Sequence, residues 1–488
     1  MTVYPGQQFD ELAKQLVFPS GYQNPTTKSH YHLVVVGAGP AGLIASISAA
    51  GLGARVALIE SRFMGGDCLN VGCVPSKALL ESTKSDTSSF DEAFEWLREV
   101  RSTISEHDSV ERYTKAGVDV FLGTANFDER GELLVEDQVL RARRVALCVG
   151  SGPIAPPIEG LESCNVLTNE TVFDLRVQPK SLAILGAGPI GCELATVFSR
   201  LGSEVHLFDL ASRVLPKEYP RASELEEKAL KDLGVTLHLG SEIKKISTLE
   251  GGKRISTDKA ELSVQEVLLA LGRSPNTDEL GLDRAGVITD SSGAILVDHR
   301  LRTSNKKIYA AGDCVQGSHF THQADMQARV LVQNSLFLPS ASIRKFEIPH
   351  CTYTSPEVAS IGPSDRELNL NGIQFDEFEV GFSELDRARV ANQMDGFARV
   401  LTKKGNDSIL SATIVGKDAG EQISLVSLLM NNNMGLSKAG NAVFSYPTRS
   451  EFLRKLSDAY NKSRLTPGID KILKRWLKLS LIHISEPT

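Results

Sequence analysis

Cys68 and Cys73 stand five positions apart in Gly65-Gly66-Asp67-Cys68-Leu69-Asn70-Val71-Gly72-Cys73-Val74-Pro75-Ser76-Lys77, and their spacing suits reversible two-electron chemistry. Five residues of regular helix rise about 7.5 Å, longer than a disulfide normally spans between α-carbons. Bridging the two therefore requires a locally unwound turn, and Gly72 supplies the backbone freedom for one. A strained, accessible bridge of that kind is readily reduced and re-formed.

The element that must serve such a pair lies just upstream. Leu33-Val34-Val35-Val36 reads as a short buried strand, followed by Gly37-Ala38-Gly39-Pro40-Ala41-Gly42 and an Ala-rich helix. A second strand, Arg55-Val56-Ala57-Leu58-Ile59, ends in Glu60. Gly37, Gly39 and Gly42 would allow a tight turn, close approach of backbone to a pyrophosphate, and tight helix–strand packing. The acid would then take the ribose hydroxyls. The device repeats at Gly186, Gly188 and Gly191, after Leu182-Ala183-Ile184-Leu185, and the strand Glu204-Val205-His206-Leu207-Phe208 ends in Asp209. In both copies the acid follows the first glycine by 23 residues. Two such units predict an α/β chain with two Rossmann-like dinucleotide-binding domains. Asp209 accepts from an adenosine ribose and repels a 2′-phosphate, so NADH is expected over NADPH, with nearby Arg213 leaving NADPH possible. His206, mid-strand, reads as packed or solvated rather than functional.

Size and composition agree with several folded units. Hydrophobic residues make up 41% and charged residues 23%, as in an ordinary globular protein. The net charge of −7 argues against a nucleic-acid surface. No apolar run approaches the roughly 18 residues of a membrane span. Seven scattered cysteines do not make a secreted disulfide framework, and a reducing cytoplasm fits them. Cys148, Cys164, Cys192, Cys314 and Cys351 read as small apolar fillers.

With these motifs the chain resembles the pyridine nucleotide-disulfide oxidoreductases, the flavoprotein family of dihydrolipoamide dehydrogenase, glutathione reductase and mercuric reductase. Leu269-Ala270-Leu271-Gly272-Arg273 is similar to the segment closing the family's NAD domain, and Ile308-Tyr309-Ala310-Ala311-Gly312-Asp313 to its second flavin motif. Val149 stands where many members carry threonine. The resemblance implies an N-terminal arm (1–30), an FAD domain with the redox pair (31–156), an NAD(H) domain (157–291), a return segment (292–346) and an α+β dimerisation domain (347–470). Strand-like alternation at Phe397–Thr402 fits an antiparallel C-terminal sheet.

It also implies roles. FAD would be held by the first fingerprint with Glu60, by Gly66, Asp67, Ala125 and Thr321, and by Asp313 on the ribityl chain; NADH would be held by the second fingerprint, Asp209 and Gly272. Cys73 would lie against the flavin and Cys68 would face the acceptor, with Lys77 paired to Glu193 near the ring. His322, ahead of a helix expected from Gln323, would set a helix N-terminus at the flavin pyrimidine. A homodimer with shared sites is implied, in which Tyr446-Pro447-Thr448-Arg449-Ser450-Glu451 would serve the other subunit, with Tyr446–Pro447 cis. No metal ligand set is expected.

Family disulfide reductases carry histidine where this chain has Tyr446. A phenol titrating near pH 10 is no general base at neutrality, so exchange with lipoamide or glutathione is expected to be slow. Tyrosine there resembles mercuric reductases, yet no cysteine follows Cys351, so their C-terminal cysteine pair is missing. The expected activity is electron transfer from NADH through FAD and Cys68–Cys73 to a metal ion or small acceptor. The alternatives are a dihydrolipoyl dehydrogenase, a flavin-only NADH:quinone reductase and a non-catalytic flavin-binding scaffold. Lys471–Lys478 reads as a solvated terminal helix, and membrane contact is not expected. Residues 479–488 resemble a translated sequencing adapter and are expected to be an artefact.

Overall fold

The computed structural model describes residues 6–85, 87–317 and 319–482. The expected artefact stretch lies outside them from residue 483; its first residues continue the helix Pro467–Ile482. The chain forms two compact units, one of residues 1–216 with 227–346, the other of residues 217–226 with 347 onward.

The first unit opens with helix α1 (Gln7–Val17) and strand β1 (Tyr31–Val36). Helix α2 (Pro40–Gly51), strand β2 (Val56–Glu60) and helices α3 (Gly66–Asn70), α4 (Cys73–Ser82), α5 (Phe90–Ser105) and α6 (Val110–Lys115) follow, ending at strand β3 (Val118–Leu122). Five parallel strands order as 308–310, 142–147, β1, β2, β3. Leu33 pairs with Val56, and Val56 in turn with Val118. β2 is buried throughout, as a parallel strand covered on both faces should be.

A second parallel sheet orders as 236–239, 204–209, 181–185, 266–269. Helix α7 (Pro189–Arg200) follows the second glycine fingerprint as α2 follows the first. The repeat extends to the packing. A Cβ on Gly42 would fall 1.8 Å from the Gly37 carbonyl oxygen, and one on Gly191 would fall 1.8 Å from that of Gly186. Both third glycines are thus there for helix–strand contact.

The second unit is an antiparallel five-stranded sheet in the order 350–352, 357–361, 409–416, 397–403, 375–381. Strand Phe397–Lys403 is buried from Phe397 to Thr402 and does not alternate as expected from its sequence. One face packs into a core with Val426, Phe452 and Leu456. The other is covered by residues 217–226: Tyr219 meets Phe397 edge-on at 6.0 Å, and the Arg399 guanidinium lies 4.0 Å over the Tyr219 ring. Tyr446–Pro447 is cis.

Among the described residues no helix is long and apolar enough to cross a membrane.

Candidate active site

The chain between Cys68 and Cys73 breaks where the spacing requires. α3 ends at Asn70, and α4 begins at Cys73. Gly72 makes the junction, and a Cβ there would sit 2.8 Å from the Asp67 carbonyl oxygen. Asn70 steadies the turn by donating from Nδ2 to the carbonyls of Gly66 at 2.8 Å and Met64 at 3.1 Å.

Both cysteines are thiols here, the reduced state of the expected couple. Thr321 Oγ1, at the start of the helix Thr321–Leu336, stands 3.2 Å from Cys68 Sγ and 3.6 Å from Cys73 Sγ. The two thiols differ in acidity. A hydrogen bond from Cys68 lowers Cys73 to about 6, with the Lys77 ammonium adding to the effect against burial. Cys68 is pushed up because it supplies that proton and because it is buried. The first thiolate therefore forms on Cys73, with Cys68 as its S–H donor.

Lys77 Nζ donates to both carboxylate oxygens of Glu193 in α7, at 2.7 and 2.9 Å. The Glu193 side chain is only 3% exposed, so its partner is what keeps a charge tolerable there.

These groups share one cleft of about 1060 Å³, which also takes in Gly37, Gly39, Glu60, Gly66 and Asp67. Ala125, Asp313 and Thr321 line it as well. Glu60 accepts from the Ala38 N–H at 2.6 Å and the Arg62 N–H at 2.7 Å, while burial pushes its carboxyl up. A Cβ on Gly66 would lie 2.6 Å from Gly39 Cα, so two bare backbones face each other at the cleft. The volume, the glycine cradle and the strand-end acid fit a dinucleotide such as FAD.

The second fingerprint is built alike. Asp209 accepts from the Ala187 and Ala211 N–H groups at 2.7 Å each. Arg213 donates to the Pro216 carbonyl at 2.8 Å. Gly272 is left-handed, with φ +130, and its carbonyl accepts from Ile154.

One expected placement changes. The helix expected from Gln323 begins at Thr321, capped by Phe320. His322 is exposed, stacks on Phe320 at 5.5 Å and does not line the cleft, so Thr321 is the residue this helix start presents to the sulfurs. Gly42 packs α2 onto Gly37, the role expected of the third glycine of the fingerprint. Tyr446 and Glu451 belong to the second unit. The Tyr446 phenol donates to Asp386 Oδ2 at 3.1 Å, which pushes its pKa further above neutrality. Glu451 accepts from Arg454.

Sequence reasoning passed over Arg273. Its guanidinium binds Asp67 and reaches Ser151 Oγ at 2.8 Å, and Ser151 donates to Asp313 at 3.2 Å. Two acids of the cleft are thereby tied to one cation, through the paired strands 151–153 and 273–275. A cation directly after a conformationally special glycine was the available signal.

The chain belongs to the pyridine nucleotide-disulphide oxidoreductases: residues 31–328 match that family and residues 348–457 its dimerisation domain. It is 31% identical to dihydrolipoyl dehydrogenase 3 of Haloarcula marismortui, over 86% of this chain and 94% of that one. It is 30% identical to a mercuric reductase of Lysinibacillus sphaericus, over 89% and 83%. A solved Cu(II) complex of the HOCl-induced flavoprotein disulfide reductase RclA from Escherichia coli superposes with a TM-score of 0.81 at 27% identity, covering 88% of this chain and all of that one. Members of this family use FAD and NAD(P)H. The dimerisation-domain match supports a homodimer.

Proposed function

We propose that the chain is an NADH-dependent flavoprotein reductase that passes electrons through Cys68 and Cys73 to a metal ion or small electrophilic acceptor. The observation carrying this reading is the polarised thiol pair: Cys73 acidified beside Lys77, Cys68 retaining its proton, and Thr321 touching both. When bound, FAD would accept hydride from NADH and deliver two electrons to the sulfur bond. Opening that bond consumes two electrons and one proton, which Cys68 keeps while Cys73 stays a thiolate near neutral pH. Returning the two electrons to the acceptor re-forms the S–S bond and releases that proton. Cys68 meets the acceptor, and two adjacent sulfurs suit a soft metal ion taken as substrate.

Tyr446 supports a metal ion over a dithiol substrate. A phenol held protonated by Asp386 supplies no base at neutral pH, whereas lipoamide exchange needs one. The mercuric reductase relative and the Cu(II) complex of RclA point the same way. Asp209, fixed by two backbone N–H groups, supports NADH over NADPH. Seven scattered cysteines that make no secreted-type framework support a reducing compartment such as the cytoplasm. The Tyr446–Glu451 strip would complete the cleft of the second subunit in the dimer.

The test is an anaerobic titration with NADH. Consumption of two NADH per FAD is expected, and one per FAD in Cys68→Ser. Uptake of one in both, with acceptor reduction intact, would reject the sulfur route in favour of direct electron transfer to a quinone. A panel of Hg(II), Cu(II), lipoamide, glutathione disulfide and quinones then ranks the acceptors, with the metal ions expected first.

A further inference from the structure

The family match begins at residue 31, yet the arm ahead of it is built into the cleft. Ala13, Lys14 and Val17 of α1 line it, as do Glu60, Arg62 and Phe63. Glu60 marks the ribose of the adenosine half, because that is where an acid at the end of the second strand stands in a dinucleotide fold. Directly beyond it the Met64 N–H donates to the Val17 carbonyl at 3.2 Å, and Phe18 meets Phe63 edge-on at 5.9 Å. The arm is therefore fixed to the loop that leaves the ribose acid.

A charged clasp holds the other end of the helix. Asp10 Oδ1 lies 2.6 Å from Arg101 Nη2, and Oδ2 lies 2.7 Å from Arg176 Nη2 and 3.2 Å from Arg98 Nε. The Arg98 and Arg101 side chains are 2% and 10% exposed, so these ion pairs lie largely away from water. Arg101 also donates to the Asn70 carbonyl at 3.0 Å, which joins the clasp to the turn between Cys68 and Cys73. Downstream, Asn24 pairs with both the N–H and the carbonyl of Leu122, at 2.7 and 2.9 Å, covering the edge of β3. The arm is thus tied to the domain at three separate places.

We infer that α1 is a wall of the FAD cleft, closing it over the adenosine half, and that Asp10 is the positioning residue that clasps it there. The inference goes beyond the electron route and rests only on FAD being the ligand of this cleft. Ala13 and Val17 line the cleft and are themselves buried, so the wall they form has a packed apolar backing. Loss of the clasp frees α1 to swing away, exposing that half of the ligand, while Arg101 keeps its own bond to the Asn70 carbonyl at the sulfur turn.

The experiment compares apoprotein, prepared by reversible removal of the flavin, with FAD and with FMN, which lacks the adenosine half. Quenching of flavin fluorescence reads each affinity. In Asp10→Asn, FAD is expected to bind at least tenfold more weakly, while FMN binding changes less than twofold. Equal weakening of both would mark Asp10 as a general packing residue and overturn the inference, as would no change in either. Hydrogen exchange on the wild-type chain tests the same wall without a variant: the amides of residues 7–17 should slow when FAD is added and not when FMN is added. Exchange there that ignores FAD overturns the inference alone. A wild-type chain that takes up neither flavin would bring down the proposed function with it.

Discussion

The Lys77 ammonium and the Glu193 carboxylate hold each other through two hydrogen bonds of 2.7 and 2.9 Å, and they act on Cys73 with opposite sign. Lys77 lowers the pKa of the thiol and Glu193 raises it. Lys77→Met should therefore move Cys73 upward by about one pH unit, a tenfold loss of thiolate at fixed pH below the midpoint. Glu193→Gln should move it downward. The pH dependence of Cys73 alkylation by iodoacetamide measures both, with a wild-type midpoint near 6 in the reduced protein. Shifts in the same direction for the two variants would contradict this arrangement.

The same acidity sets a stability window. The Cys73 thiol is depressed from its ordinary value of 9.0 to about 6, so the folded dithiol form gains stability as pH rises between those values. That gain is lost as pH falls through 6. The melting temperature of the reduced protein should rise from pH 6 to pH 9 relative to Cys73→Ser. Parallel pH profiles for the two proteins would show that the thiol is not depressed.

Gly72 is where the sulfur pair is most sensitive to a single atom. A Cβ would press on the Asp67 carbonyl oxygen at 2.8 Å and on Cys68 Cα at 3.3 Å. Neither is a flexible side-chain tip, so the turn must open. Gly72→Ala should cost about 1–3 kcal/mol in stability. It should also slow re-formation of the Cys68–Cys73 disulfide after reduction, measured by thiol titration over time. Unchanged closure kinetics would show that the unwound turn is not what brings the sulfurs together.

What the sequence revealed of this site was what is local in the chain. The glycine fingerprints, the acids Glu60 and Asp209 and the Cys68–Cys73 spacing all lie within single strand–turn–helix stretches, where residue type dictates geometry. Arg273 escaped because its partner Asp67 is 206 residues away, reached only through a short pairing of strands 151–153 and 273–275. The role of α1 was hidden for a related reason. Residues 1–30 read only as an arm ahead of the family core, and the three arginines that meet Asp10 are spread over Arg98–Arg176. The continuous burial of Phe397–Thr402 was likewise invisible, since the covering residues Tyr219 and Arg221 come from a distant segment. His322 stands inside the helix rather than ahead of it, because no side-chain cap marks the start at Thr321.

Coenzyme choice should follow Asp209. Its two oxygens are oriented by the Ala187 and Ala211 N–H groups, and with NADPH bound as the second fingerprint implies, that carboxylate would face the 2′-phosphate. The wild type is expected to favour NADH over NADPH by at least tenfold in kcat/KM. Asp209→Asn should narrow that ratio by about tenfold, chiefly through KM for NADPH. A ratio that does not move would place the discrimination elsewhere.

Tyr446 separates the two acceptor classes most directly. Its phenol donates to Asp386 Oδ2 at 3.1 Å and is held protonated well above neutrality, so it can donate a hydrogen bond but cannot take a thiol proton. Tyr446→His installs a group that titrates near neutral pH. Reduction of lipoamide should then rise by at least tenfold, within the range a positioned general base contributes. Tyr446→Phe keeps the ring and removes the hydroxyl; it should slow metal-ion reduction and leave the lipoamide rate, expected to be slow in the wild type, where it is. The discriminating measurement is the ratio of the Cu(II) or Hg(II) rate to the lipoamide rate in the three proteins. If histidine fails to raise the lipoamide rate, Tyr446 is not what withholds dithiol chemistry from this chain.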